Sequence, residues 1–236
     1  MDQTSRFIQG DARVTAARMT LMRLLDLSHV IEHQMITYPG LPGPEIDEHL
    51  SFDASAGHYA AGTEFVIGQL SMVVNTGTYL DTPAHRFRDG HDLAGLPLEH
   101  CVLLPAVVVD GEGAIGSSAF SDVEVDGAAV LLRTGWDRHW RTERYGDPAH
   151  PHLTEAGAEM LVQRGAALVG IDSVNIDDTT NGRRPAHTVL LAAGIPIVEH
   201  LTGLGRLPAA GALFSAVPPA VRGLATFPVR AFATFP

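Results

Sequence analysis

The chain has 236 residues, 45% of them hydrophobic and 18% charged, a balance that fits one large folded domain and excludes a disordered chain. A formal net charge of −11 on only 16 lysines and arginines excludes the basic patch that a nucleic-acid partner requires. The single cysteine, Cys101, rules out an intrachain disulfide and a cysteine zinc cluster, and no apolar run approaches the roughly 20 residues of a membrane span.

Residues 1–20 read as a polar arm without the apolar stretch of a signal peptide, so a cytoplasmic protein is expected, folded over residues 21–236. Three prolines and two glycines between Tyr38 and Pro44 mark a loop. Apolar, β-branched runs predict strands over Phe65–Val74, Leu103–Asp110, Ala129–Thr134, Ala167–Ile171 and Ile195–Val198. Two of these, Leu103–Asp110 and Ala167–Ile171, are apolar nearly throughout, as in strands covered on both faces. A helix is predicted over Thr154–Arg164, with Thr154 as N-cap, an apolar stripe of Ala158, Leu161 and Val162, and Gly165 closing it. A second, short helix follows over Ala186–Ala193, between Pro185 and Gly194. Strands alternating with helices late in the chain give an α/β domain.

Gly77 and Pro83 exclude a regular helix over residues 75–85, which read as a strand end and a loop on the platform of the Phe65–Val74 strand. Asp81 there is a hard oxygen ligand or an orienting carboxylate, and His85 a candidate general base, since histidine exchanges protons near neutral pH. On spacing alone it is equally open that Asp81 caps the turn and His85 packs beneath it. About a hundred residues later, His187 falls in the first turn of the short helix, where the helix dipole favours a neutral imidazole. On its own it reads as a surface residue. Glu199 ends an apolar strand, and a carboxylate buried there must be paired or coordinated.

Other candidates read more plainly. Asp172, Asp177 and Asp178 read as a solvated acidic loop rather than a cation site, although Asp172 stands where α/β sheets place site residues. Ser28 and His29 point to opposite faces if extended, which disfavours a dyad. Trp136, Trp140 and Tyr145 read as packing, and His150 and His152 as exposed loop residues. No nucleophile elbow, P-loop or dinucleotide fingerprint occurs.

The run Asn75-Thr76-Gly77-Thr78-Tyr79-Leu80-Asp81-Thr82-Pro83-Ala84-His85 resembles the H-x-G-T-H-x-D-x-P-x-H signature of the putative-cyclase family, which includes bacterial kynurenine formamidases and isatin hydrolases. Supporting it in order are Asp26-Leu27-Ser28-His29, Arg133-Thr134-Gly135-Trp136, Leu168-Val169-Gly170-Ile171-Asp172, Pro185-Ala186-His187, Gly194-Ile195 with Glu199, and Pro228-Val229-Arg230-Ala231. The resemblance implies a swivelling β/β/α-type α/β domain, homodimers or larger homo-oligomers, and hydrolysis of amide bonds in small aromatic or cyclic substrates by water activated at zinc or manganese. Carried over residue by residue, Asp81, His187 and Glu199 are metal ligands and His85 is the acid/base. Asn75 and Tyr79 stand where the family has two further ligand histidines, which serve mainly one ion of a two-metal site.

A neutral amide and a protonated phenol are poor ligands for zinc or manganese, so the site is reduced to at most one divalent ion. Three readings follow. The first is an arylformamidase-like hydrolase with one ion or none, in which Asn75 donates to an oxyanion and Tyr79 orients water. The second is a metal-independent cyclase or dehydratase using His85 and Tyr79, with Arg86, Arg183 or Arg184 as counter-charges to the carboxylates. The third is a ligand-binding protein without chemistry.

Overall fold

The computed structural model describes residues 22–208 and 210–236, and the expected polar arm over residues 1–20 lies outside them. The first half contains β1 (Arg23–Asp26), β2 (Glu45–Leu50), α1 (Phe52–Ser55), β3 (Ile67–Ser71), β4 (Tyr79–Asp81), β5 (Leu104–Asp110) and β6 (Ala114–Ile115). The second half contains β7 (Ala129–Arg133), β8 (His152–Leu153), α2 (Glu155–Gln163), β9 (Leu168–Ile171), α3 (Pro185–Ala192) and β10 (Ile197–Glu199). It closes with β11 (Ala212–Ser215), β12 (Thr226–Pro228) and β13 (Phe232–Phe235). Among the described residues no helix is long and apolar enough to cross a membrane.

Nine strands form one mixed sheet in the order β1-β13-β11-β5-β7-β9-β10-β4-β12. Its centre, β5-β7-β9-β10, is parallel, and antiparallel strands extend both sides. The central strands alternate between two cores, as a period of two demands. On β7, Ala129 and Leu131 enter one core while Val130 and Leu132 enter the other. The second core takes Ala158 and Leu161 of α2 and Ala186, Leu190 and Leu191 of α3, so both longer helices cover one face. Each fully buried leucine contributes about 1.5–3 kcal/mol, so this doubly covered centre carries much of the burial that stabilises the fold. Gly170 is closely packed: a Cβ there would stand 2.7 Å from Leu201 Cδ1 and 3.0 Å from Leu131 Cδ2, so both leucines would have to shift.

The helix caps are those expected from sequence. Thr154 Oγ1 accepts from Gly157 N at 3.1 Å to start α2, and Gly165 follows it with φ of 77°. Pro185 opens α3, and Gly194, also at φ of 77°, follows its end. One expectation needs correction. The Phe65–Val74 run shrinks to β3, which among the described residues pairs only with β2, is exposed along its length, and is no platform for the signature segment. The segment instead carries its own strand, β4, inside the main sheet between β10 and β12. In β5, Pro105 and Asp110 are exposed, but Leu104 and Ala106 enter one core and Val109 the other, so the strand is covered on both faces over most of its length, as expected. A short apolar run does not reveal which sheet it joins.

Candidate active site

The register of β4 builds the site. Tyr79 lies opposite Glu199 of β10 and Pro228 of β12, and Asp81 lies opposite Ile197 and Thr226. Directly opposed residues share a face, so Tyr79, Asp81, Glu199 and Thr226 project together, while Leu80 and Val198 enter the core behind. His187, in the first turn of α3, completes the group. Its Nε2 lies 3.8 Å from Asp81 Oδ2 and 3.7 Å from Glu199 Oε1. Ligand atoms of Asp81, His85 and His187 lie within 4.8 Å of one another.

Each group has a defined partner. Asp81 is fully buried; its Oδ1 accepts from Thr226 Oγ1, while Oδ2 has no hydrogen-bond partner among the described residues. Thr226 Oγ1 also lies 3.0 Å from His85 Nδ1. A hydroxyl has one proton, and here it goes to Asp81, so His85 donates from Nδ1 and keeps the Nε2 lone pair for exchange. His85 itself is partly open to solvent.

His187 is buried, and its Nδ1 lies 2.6 Å from Asp177 Oδ2. Asp177 also accepts from the backbone N of Ala186 at 2.6 Å and of His187 at 3.1 Å. One carboxylate therefore caps α3 and fixes the imidazole. Burial opposes charge on His187, but the bond to Asp177 and the Asp81 and Glu199 carboxylates outweigh it and raise its pKa to about 10. The helix dipole is thus overruled by three carboxylates, which corrects the expectation of a neutral imidazole in the free site. Burial pushes Asp81 up, yet the His187 imidazole 3.8 Å away, the nearby His85 and the bond from Thr226 hold it below the ordinary range. Glu199 goes the other way: burial raises it, and the Asp81 charge adds to this.

Glu199 Oε1 accepts from Ile176 N at 2.7 Å and Oε2 from Tyr79 OH at 2.7 Å. The Tyr79 hydroxyl lies 3.2 Å from His200 Nε2, and His200 Nδ1 lies 2.8 Å from Tyr145 OH. Burial drives the His200 pKa down to about 3, so its ring is neutral. With the Tyr79 proton directed at Glu199, His200 donates from Nε2 and accepts at Nδ1 from Tyr145. A left-handed backbone at His200, φ of 56°, lets consecutive residues both reach Tyr79, which a regular strand would forbid. Burial and the Glu199 and Asp81 charges push the Tyr79 hydroxyl far above the ordinary tyrosine range, offset in part by the polar Asn75 side chain.

A cavity of about 350 Å³ opens over these groups, lined by Asn75, Tyr79, His85, His187 and Glu199. The proline-rich loop adds Tyr38 and Leu41, and Arg86, Asn175 and Arg184 complete the wall. The sequence-predicted site residues Asn75, Tyr79, Asp81, His85, His187 and Glu199 are therefore gathered in one place. The unpartnered, buried Asp81 Oδ2 between imidazole and carboxylate neighbours is the donor set a divalent cation takes, and Asp177 behind His187 is the outer partner such ligands have.

Four contributors were missed from sequence: Asp177, Thr226, His200 and Tyr145. The acidic loop is not solvated as expected. Asp172 and Asp177 are buried and Asp178 is half-buried. Asp172 clamps the Arg133-Thr134-Gly135 turn through Thr134 N, Thr134 Oγ1 and Gly135 N. Asp177 had a readable signal: α3 begins Arg184-Pro185, with no serine, threonine, aspartate or asparagine to cap it, so an acceptor had to come from elsewhere. His150, expected to be exposed, is buried with Nδ1 at 3.1 Å from Ser173 Oγ. Trp136, Trp140 and Tyr145 pack together with Val174 and Tyr38, as expected, and none of the three lines the cavity. His29 stacks on Trp140 at 3.8 Å and forms no dyad with Ser28.

Known proteins share this arrangement of chain. Kynurenine formamidase from Bacillus mycoides (strain KBAB4) is 28% identical over 186 residues, covering 78% of this chain and 84% of that protein. Isatin hydrolase A from Labrenzia aggregata, bound to benzyl benzoate, superposes with a TM-score of 0.76 at 24% identity, covering 91% of this chain and 94% of that one. A predicted metal-dependent hydrolase from Bacillus stearothermophilus gives a TM-score of 0.69 at 24% identity, covering 90% and 98%. These structures share the mixed α/β fold. The family model described as putative cyclase matches residues 25–178, from β1 through the signature strand to the Asp177 cap. By that match over well more than half its length, the chain belongs to the putative cyclase family.

Proposed function

We propose that this protein hydrolyses a carbon–nitrogen bond of a small amide or lactam, with one divalent ion held by Asp81, His187 and Glu199. The observation that carries this reading is the buried Asp81 Oδ2 without a partner, 3.8 Å from His187 Nε2. The kynurenine formamidase and isatin hydrolase relatives support the bond class. Zinc or manganese bound there would supply Lewis acidity and make water a nucleophile near neutral pH.

The chain's own groups do the remaining work. His85 takes a proton from water at Nε2 as the water oxygen bonds to the carbonyl carbon, and Thr226 holds its Nδ1–H. When the carbon–nitrogen bond breaks, the same nitrogen returns the proton to the departing amine. Asn75, on the cavity wall, donates to the developing oxyanion in this reading. Tyr79 serves best as a fixed donor to Glu199, since its proton is already committed there. That commitment counts against the metal-independent alternative in which Tyr79 acts as acid or base.

Elemental analysis of protein purified without chelators should find about one zinc or manganese per chain. His85→Ala should keep the ion and lose turnover of formyl-anilides, whereas Glu199→Ala should lose both. Loss of the ion from His85→Ala would make His85 the third ligand, as the tight grouping of Asp81, His85 and His187 also permits. A chain that takes up no ion with zinc or manganese in excess would end the metal-hydrolase reading.

A further inference from the structure

Arg86 and Arg184 line the same cavity as His85 and His187. Among the described residues neither forms an ion pair, whereas Arg133, Arg141, Arg183 and Arg230 each contact a carboxylate. With 27 acidic residues against 16 basic ones, two unpaired guanidiniums at one opening are not explained by a shortage of anions. Nor do they balance the buried carboxylates below. Asp81 takes its bond from Thr226, Asp177 from His187 and the backbone of α3, and Glu199 from Tyr79 and Ile176.

Both arginines are nevertheless held in place. Arg86 Nε donates to Thr188 Oγ1 of α3 at 3.1 Å, and Arg184 Nη1 donates to the Asp178 carbonyl at 3.0 Å. Each bond uses one nitrogen of a five-donor fork and leaves the others for a ligand. Arg86 is exposed and Arg184 half-buried, so the pair sits at the cavity's rim rather than its floor. Two anchored forks beside a small-molecule cavity match a planar anion that accepts paired hydrogen bonds.

We propose that Arg86 and Arg184 form a carboxylate-binding subsite, so that the substrate is a small amide or lactam carrying a carboxylate on the part that does not react. The word substrate rests on the hydrolase reading above; the anion site does not. The carboxylate stays outside while the scissile bond reaches His85 and His187, and neutral amides of the same shape are taken poorly.

Equilibrium binding of benzoate and benzamide, measured by calorimetry on the protein as purified, tests the subsite without any turnover. Benzoate should bind more tightly than benzamide by roughly tenfold or more, the scale of a charge-assisted paired contact. Arg86→Gln and Arg184→Gln should each weaken benzoate several-fold, and together remove the preference. Arg184→Lys should retain part of it, which separates loss of charge from a folding defect. Arg183→Gln deletes the same charge one residue away, on an exposed side chain paired with Glu155, and should leave the preference intact. Equal binding of the two probes, or a preference that survives the double variant, would overturn the subsite; the latter would place the carboxylate on the ion. Hydrolysis of formanilide and 2-formamidobenzoate is scored separately. Failure to cleave either, with the benzoate preference intact, defeats only the hydrolase reading, and cleavage of formanilide without that preference defeats only the subsite.

Discussion

Alanine at Asp81 is expected to abolish turnover, by roughly 10³-fold or more in kcat, and to empty the ion site in the same protein. Asp81 is the carboxylate with a buried, unpartnered oxygen, and it also fixes the Thr226 proton that orients His85. One substitution therefore removes a ligand and releases the base. Asp81→Asn separates the two roles, because its amide oxygen still accepts from Thr226 while the amide nitrogen repels a cation. Elemental content and single-turnover rates on both variants check this. A variant that keeps its ion and most of its rate would remove Asp81 from the chemistry.

Asp177→Ala is expected to cost about 2–4 kcal/mol of stability, since it uncaps α3 and strips a charged partner from a buried imidazole. Ion affinity should fall by roughly 10- to 100-fold, the usual effect of losing an outer-shell partner. Asp177→Asn divides these effects. Its oxygen still caps α3, but its amide offers Nδ1 a donor and moves the imidazole proton to Nε2, the atom that must face the ion. Chemical unfolding and ion titration of the pair measure the split. Equal losses of both quantities in the two variants would mean that the tautomer does not matter.

The same cluster sets a pH dependence in chelated protein. His187 is raised from an ordinary 6.5 to about 10, so its contribution is complete below about 6.5 and is lost as pH rises through about 10. Asp81 and Asp177 are depressed, so their contribution is present above the ordinary carboxylate range and is lost as pH falls through their lowered values. The cluster therefore stabilises the chelated protein best in mildly acidic solution. Ion binding must displace the Nε2 proton, so affinity climbs with pH where that stability declines.

Much of the scaffold was legible because its signals are local. Val130 and Leu132 alternate with Ala129 and Leu131, Thr154 and Gly165 bracket α2, and Pro185 and Gly194 bracket α3. The positions of Asp81, His85, His187 and Glu199 came from the family signature rather than from periodicity. What stayed hidden acts across the chain. Thr226 reaches Asp81 from 145 residues away, and His200 reaches Tyr79 from 121. No window of sequence links such pairs. His200 was obscured further by its left-handed backbone, which turns it out of the strand alternation that sequence reading assumes.

The buried line from Tyr145 through His200 and Tyr79 to Glu199 has a property beyond its individual bonds. Every O–H and N–H in it points the same way, so three neutral groups add up to a row of aligned dipoles with its positive end on the Glu199 carboxylate. It acts on that anion as the start of a helix would, without carrying net charge. Where the family signature has a histidine to grip a second cation, this chain has Tyr79, and behind it a polarised string of side chains. Orientation thus stabilises the Glu199 carboxylate before any ion binds, through a part of the protein that cannot be chelated away.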